Sequence, residues 1–414
     1  MFPSQNLQGE VKVQGAKNSI LKLMIAAMLT QGEQTFTNCP DITDVHDMGE
    51  IITSLGGKVK YEPHTISITS NGFHDCKLDA NLIEKMRASV ALLGPMLSTL
   101  KEVRLPLPGG DDFGSRPVDI HVRCLEAMGA EIKLSSKEIY AKLQKKRLIG
   151  TRLVLEYPSH TTTDNLIMAA VLAEGETVIE NAAREPEVVD LANFLNSLGA
   201  KIQGAGTSRI VIDGIDKLTG SVVHEVIPDR VEAATLISAV GIAGGDVNLI
   251  DAVPFNMDML LVRLDDMGMK FKPISNGLNV KSTKRTISRD VQTLPYPGIA
   301  TDYKPAIVTL LSVSEGTSVV TENIFIGRFR YVEELLKMGA NVTTEGHHVI
   351  VRGVESLIGA TVESHDIRAG AALVLAGLKA EGETTITNVH HIDRGYENLP
   401  RKLQSIGANV AYVE

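Results

Sequence analysis

The sequence predicts an α/β protein made of six repeats shared between two domains. Three observations point there. A helix-ending glycine recurs in Leu55-Gly56-Gly57, Met128-Gly129-Ala130, Leu198-Gly199-Ala200, Met267-Gly268-Met269, Met338-Gly339-Ala340 and Ile406-Gly407-Ala408. Successive copies lie roughly 70 residues apart, too long for the usual solenoid periods and enough for a small α/β unit. Within a copy, β-branched runs alternate with longer apolar periodic runs, as strands alternate with helices. The chain has 414 residues, more than one comfortable core holds, so the copies divide as three plus three. The expected domains are 18–226, with a loop at 108–117, and 1–17 together with 227–414.

The third copy shows the elements in order. Leu148-Ile149-Gly150 opens a strand through Leu153, Val154 and Leu155. The polar stretch Ser159 to Asp164 starts a helix, because Ser, Thr and Asp satisfy unpaired N–H groups at helix starts. That helix is apolar through Leu166-Ile167-Met168-Ala169-Ala170, and Gly175-Glu176-Thr177-Val178-Ile179 follows as a β-branched strand. A second helix carries Val188, Val189, Leu191, Ala192, Phe194 and Leu195 and stops at Gly199, a residue able to take the left-handed cap. Strands around Ile202 and Ile210-Val211-Ile212 close the copy. The last copy is short: after Gly407 too little chain follows for a closing strand pair. The first begins with a complete strand, Glu10-Val11-Lys12-Val13, which can complete the C-terminal half.

Composition bounds the partners. Hydrophobic residues are 43% and charged residues 22%, ordinary for a soluble globular protein. Trp is absent, aromatics are 4% and the net charge is -9, which argues against nucleic acid and anionic membranes. No apolar run reaches bilayer-spanning length, and Met1-Phe2-Pro3-Ser4-Gln5 does not read as a signal peptide. Cys39, Cys76 and Cys124 share no metal-ligand spacing and read as reduced thiols of a cytoplasmic protein. An anionic substrate must therefore be held by a local basic cluster.

Aligning the copies on their glycines shows where such a cluster lies. At the start of the first helix, about 37 to 42 residues before the glycine, stand Lys17, Arg87, Arg230, Asp302 and Arg368. In the loop before the second helix, about 11 to 15 residues before it, stand Arg116, Arg184, Arg328 and Arg394. Helix starts offer free N–H groups and positive potential, and arginine forks match carboxylates and phosphates. Asp302 is an acid where other copies carry a cation. It reads either as a helix-capping Asp or as a general base. The loop Pro108-Gly109-Gly110-Asp111-Asp112-Phe113-Gly114-Ser115-Arg116-Pro117 is the longest glycine-rich departure, and one of its paired acids can serve as a proton donor if its pKa is raised.

Gly15-Ala16-Lys17-Asn18, the Gly109 to Asp119 loop, Asn181-Ala182-Ala183-Arg184-Glu185-Pro186-Glu187, Pro228-Asp229-Arg230, Thr301-Asp302, Asp366-Ile367-Arg368-Ala369 and His391-Ile392-Asp393-Arg394-Gly395-Tyr396 resemble the enolpyruvyl transferase family, on its sugar-nucleotide branch. The resemblance spans essentially the whole chain. It implies an inside-out α/β barrel in each of two domains, joined by two crossovers and closed by substrates. It also implies a reaction. The enolpyruvyl group of phosphoenolpyruvate passes to the 3-hydroxyl of UDP-N-acetylglucosamine, phosphate leaves, and peptidoglycan precursor synthesis begins. No cofactor and no metal are implied.

Residue by residue, Lys17, Arg116 and Arg394 resemble the cations around the phosphate, with Lys17 and Arg394 also among the catalytic groups; Arg328 and Arg368 resemble those near the carboxylate, and Arg87 another phosphoenolpyruvate-side arginine that also belongs to the UDP-sugar set. Asn18 and Asp302 resemble the groups that contact the sugar hydroxyls, with Asp302 the base. Pro117, Asp119 and Ile120 fall where the family holds the uracil, and Ser159, Thr301 and Ile324 complete the UDP-sugar set. Asp229 and Arg230 match the interdomain junction.

Three departures stand out. Asp111 occupies the place of the family's usual proton-donating Cys, Thr43 stands where many members carry Lys, and the third is a stretch that follows Tyr157, itself in the place of a common Lys. Close to Tyr157, the family's Ser-Val-Gly-Ala-Thr reads Ser159-His160-Thr161-Thr162-Thr163, which loses a glycine. Two other readings fit the residues: a paralogue with a different acceptor, and a non-catalytic binding protein on the same fold.

Overall fold

The structure, a computed structural model, describes residues 1–110, 118–325 and 327–413. These form two compact units. One contains residues 15–110 and 118–227, the other residues 1–14 and 228–413. The division falls between Gln14 and Gly15: Ala16 donates its N–H to Ile227 O at 2.7 Å, and Lys17 opens a helix of the first unit. Gly15 is required at that turn, since a Cβ there would lie 1.8 Å from Asn38 O.

In the first unit the buried elements are helices. Lys17–Ala27 and His160–Ala170 bury nearly every residue, and Leu93–Leu100 buries its first five. A helix that is apolar or small on all sides belongs inside. Three sheets lie outside them. In the first, Val223–Glu225, Gln31–Thr37, Thr65–Asn71 and Lys58–Glu62 are adjacent in that order. The second is Glu102–Pro106, Glu138–Leu143 and Ala130–Leu134. The third is Lys201–Gln203, Arg209–Asp213, Glu176–Glu180 and Arg152–Val154. Their strands alternate buried and exposed residues, with the buried set facing the helices.

The second unit repeats the plan. Every residue of Arg230–Ala243, Lys304–Ser312 and Ile367–Gly377 is buried. The N-terminal strand Leu7–Lys12 runs parallel to Gly245–Ile250, followed by Gly277–Ser282 and Lys270–Ile274. Val291–Gln292, Thr317–Thr321, His348–Arg352 and Asn341–Glu345 make the next sheet. The sixth copy supplies only two-stranded pieces, Thr361–Glu363 with Thr385–Thr387 and Leu357–Ile358 with Ala380–Glu381. Among the described residues the sheets remain separate, and none closes into a β-barrel. The inside-out arrangement lies in the helices being central.

The six punctuating glycines all have positive φ, from 79° at Gly339 to 101° at Gly268. Each ends its copy's second helix as the alignment predicts. Ser159 caps the His160 helix by accepting from Thr162 N–H, as expected. Asp302 does not cap. The residue before the Lys304 helix is Tyr303, with no side-chain cap, and the Asp302 carboxylate goes elsewhere.

Candidate active site

In the second unit, Asp302 is held between two buried arginines. Arg328 Nη1 donates to Asp302 Oδ1 at 2.7 Å, and Arg368 Nε lies 3.7 Å from Oδ2. Burial alone would raise the Asp302 carboxyl. Arg328, Arg368 and Arg230 outweigh it and hold the group well below the ordinary carboxylate range. Arg328 also donates to Thr301 Oγ1 at 3.3 Å.

Arg368 sits in the first turn of its helix, which Asp366 caps by accepting from Arg368 N–H and Ala369 N–H, both at 2.8 Å. Its guanidinium carbon lies 5.1 Å from the Tyr396 ring centre. Burial works against the Arg368 charge, but Tyr396, Asp302 and Asp229 more than offset it. Arg368 Nη1 is buried without a hydrogen-bond partner among the described residues. A buried unsatisfied donor suits an incoming anion. Arg230 opens another inner helix, capped by Asp229, and donates to Tyr303 Oη at 3.0 Å.

Arg394 caps the one-turn helix His390–Asp393 and is partly exposed. The chain beyond it is tied to Gln14, which donates to Gly395 O at 3.0 Å and accepts from Glu397 N–H at 2.8 Å. Gln14 N–H in turn donates to Glu232, whose other oxygen meets Lys402 Nζ at 2.7 Å. Ile324 N–H donates to buried Glu322 at 2.8 Å.

In the first unit, Lys17 Nζ lies 2.7 Å from Asp44 Oδ2, and both groups are buried. Asp44 sits in the first turn of the helix Thr43–Ser54. Asn18, partly buried, gives its carbonyl to Lys22 Nζ at 2.8 Å. Arg87 opens the short helix Arg87–Leu92 and donates to Pro108 O at 3.3 Å. It thereby grips the start of the long glycine-rich loop, where Gly110 N–H also donates to Glu84 O at 3.1 Å. His121, the third residue of the helix Asp119–Ala127, is buried, and burial with the nearby Arg87 charge lowers its pKa to about 3. Asp111, Arg116 and Pro117 lie outside the described residues. Asp119 is exposed and pairs with Arg123 at 3.2 Å, while Ile120 is partly buried. Arg184 is exposed.

The altered segment of the third copy starts an inner helix. Ser159, His160 and Thr161 are partly buried, and Tyr157 is exposed. His160 Nε2 lies 3.4 Å from Asp164 Oδ2, and Lys22 Nζ lies 3.8 Å from the same oxygen. Burial raises the Asp164 carboxyl to about 7, with Glu185 and Glu187 adding to the effect and Lys22 opposing it. An acid whose folded pKa is raised stabilises the fold below its unfolded pKa, and that contribution fades as pH rises through about 7. Asp164→Asn should therefore gain stability relative to the parent as pH goes from 4 to 8. Urea unfolding of both proteins across that range checks this; a constant difference would show that Asp164 does not titrate there.

Sequence reasoning missed several of these groups. Asp44 pairs with the expected cation Lys17, Lys304 and Glu322 pair with each other, and Asp164 meets His160 and Lys22. Only Asp44, an acid one residue into a helix start, carried a local signal.

A family model described as EPSP synthase (3-phosphoshikimate 1-carboxyvinyltransferase) matches residues 2–403. A UDP-N-acetylglucosamine 1-carboxyvinyltransferase 1 of Symbiobacterium thermophilum is 47% identical over 412 residues, covering 98% of this chain and 93% of its own. A UDP-N-acetylglucosamine 1-carboxyvinyltransferase of Corynebacterium jeikeium is 45% identical, covering 99% and 97%. Among solved structures, the enolpyruvyl transferase NikO from Streptomyces tendae superposes with a TM-score of 0.88 at 24% identity, covering 99% of this chain and 97% of that one. EPSP synthase from Acinetobacter baumannii superposes with a TM-score of 0.75 at 20% identity, covering 99% and 98%.

Proposed function

We infer the activity from a chain that belongs to the EPSP synthase family of 1-carboxyvinyltransferases: it transfers the enolpyruvyl group of phosphoenolpyruvate to the 3-hydroxyl of UDP-N-acetylglucosamine and releases phosphate. The observation that carries the acceptor is full-length identity of 47% and 45% to transferases named for that substrate. The product is the first committed precursor of peptidoglycan, and the reaction belongs in the cytoplasm, where nucleotide sugars are made. Among the described residues no helix is long and apolar enough to cross a membrane.

The chemistry needs an acid at C3 of the enol, a base at the sugar hydroxyl, and cations for two anionic groups. Asp302 accepts the hydroxyl proton as the oxygen attacks C2. A carboxylate clamped by Arg328 and Arg368 is a weak base, so it needs relief. The carboxylate of phosphoenolpyruvate supplies it by engaging the same two arginines. Their charge is then shared, and the proton affinity of Asp302 rises when both substrates are present. Lys17, Arg116 and Arg394 take the phosphate, Arg87 supports that side, and Asn18, Thr301, Ser159 and Ile324 hold the sugar nucleotide with Pro117, Asp119 and Ile120. Asp111 protonates C3. The tetrahedral ketal collapses when phosphate leaves and C3 returns its proton.

Phosphate release from phosphoenolpyruvate should depend on UDP-N-acetylglucosamine. Release with shikimate 3-phosphate or another nucleotide sugar in its place, and none with this acceptor, would overturn the assignment. Because the donor is a carboxylic acid, a far weaker nucleophile than a thiolate, fosfomycin should cause no time-dependent covalent inactivation. Time-dependent covalent inactivation by the drug would overturn this expectation.

A further inference from the structure

The most deeply buried ion pair near the candidate site is assigned no part in the reaction above. Lys304 Nζ lies 2.8 Å from Glu322 Oε2, and both side chains are fully buried. Glu322 follows the strand Thr317–Thr321 and gathers donors on both oxygens. Oε1 accepts from Thr293 Oγ1 at 2.7 Å, Ile324 N–H at 2.8 Å and Phe325 N–H at 3.0 Å. Oε2 accepts from Thr301 Oγ1 at 2.8 Å as well as from Lys304. Lys304 spends a second donor on Arg328 O at 2.8 Å and lies 4.0 Å from the Phe329 ring centre.

Stability alone does not explain this lysine. It occupies the first position of a helix, where the backbone dipole disfavours a cation. Burial lowers its pKa to about 8 even with Glu322 beside it. A buried ion pair of this kind is often matched in stability by apolar residues of similar volume. What the pair does provide is placement. Asp302 stands two residues before Lys304, and Arg328 ends the segment that Glu322 anchors. Thr301 is fixed from one side by Glu322, and the carbonyl of Arg328 is fixed from the other by Lys304. The 2.7 Å contact between Asp302 and Arg328 lies between these anchors.

We propose that Lys304 and Glu322 are positioning residues that set the Asp302–Arg328 contact, and through it the timing of proton transfer. They do not touch substrate, since neither is exposed. The role rests on the enolpyruvyl transfer proposed above, and the test separates the two.

Lys304→Met with Glu322→Gln removes both charges together, so neither is left unpaired. This double variant should melt close to the parent. Its kcat should fall by about a hundredfold, the loss that a displacement of about 1 Å produces. The KM for UDP-N-acetylglucosamine should change less than about threefold, because the side-chain amide of Glu322→Gln can still accept from Ile324 N–H and bond Thr301 Oγ1, the two sugar-nucleotide residues that Glu322 holds. The acid limb of kcat should also move, which a general loss of rigidity would not cause. Lys304→Arg, which keeps the charge and the donors, should restore most of kcat. If the double variant does not fold, Thr293→Val decides: it leaves the ion pair and removes one arm, and should lower kcat severalfold. A folded double variant, or Thr293→Val, with parental kcat and pH profile would overturn the proposal. A crystal structure of the double variant gives a reading independent of activity. Asp302 and Arg328 should separate, and an unchanged contact would overturn the positioning role even if the enzyme used a different acceptor.

Discussion

Asp302→Asn should lower kcat by about a thousandfold, within the range that a positioned general base contributes. The substitution keeps the shape of the side chain and can still accept one hydrogen bond from Arg328. It removes the proton acceptor and the negative charge that competes with phosphoenolpyruvate for Arg328 and Arg368. Binding of phosphoenolpyruvate should therefore hold or tighten while turnover collapses. Calorimetry and steady-state kinetics on one preparation would show this split, and a kcat within tenfold of the parent would end the assignment.

The pH behaviour of the parent gives a second view of the same carboxylate. In the free protein its pKa is strongly depressed, so its stabilising contribution is present above the unfolded value of 3.8 and is lost only in strong acid. From pH 5 to 8 Asp302 stays ionised and contributes no slope. The profile of kcat/KM, which reports the free enzyme, should lack an acid limb from this group. The profile of kcat, which reports the loaded complex, should gain one if substrate draws the arginines away.

Lys17→Met should affect function and stability together. Removing one cation from the proposed phosphate site should lower kcat/KM by about 10² to 10³, the scale seen when one preorganised donor is lost. It should also destabilise the protein by about 3–5 kcal/mol, because Asp44 would be left buried without its 2.7 Å partner. Pairing the change with Asp44→Asn separates the effects. The double variant should recover most of the stability and none of the activity. Recovery of activity would make Lys17 a structural residue only, and an equally stable Lys17→Met would mean the ion pair carries no net weight.

Much of the fold was legible because it is repeated. Six glycines in one phase marked the second helices, and each has the left-handed backbone that only glycine adopts easily. The third copy's strands and helices fall close to where β-branched runs and capping residues put them. Phase also pointed to Lys17, Arg87, Arg230 and Arg368, each in the first turn of a helix, and to Asp302, two residues ahead of one. Phase could not reveal who meets whom. Asp44, 27 residues from Lys17, becomes its partner only when two helices of the first copy pack together. Lys304 carried no signal in the sequence, and its ion pair needs Glu322, which lies just past the strand Thr317–Thr321. Asp302 kept its capping alternative until the structure showed Tyr303 at that position and the carboxylate on two arginines.

The parallel pairing of Leu7–Lys12 with Gly245–Ile250 has a consequence for how the chain is made. Leu7–Lys12 leaves the ribosome well ahead of its partner, which begins 238 residues later. At about 5–20 residues per second, that wait is about 12–50 s. Residues 15–227 emerge in the interval and have their own core. The waiting strand is an open edge throughout. Its exposed Gln8, Glu10 and Lys12 are side chains that discourage pairing with another chain. Translation order thus makes closure of residues 1–14 with 228–413 the late event of biogenesis. Nascent chains halted before residue 245 should expose an N-terminal segment that proteases remove, and longer ones should protect it.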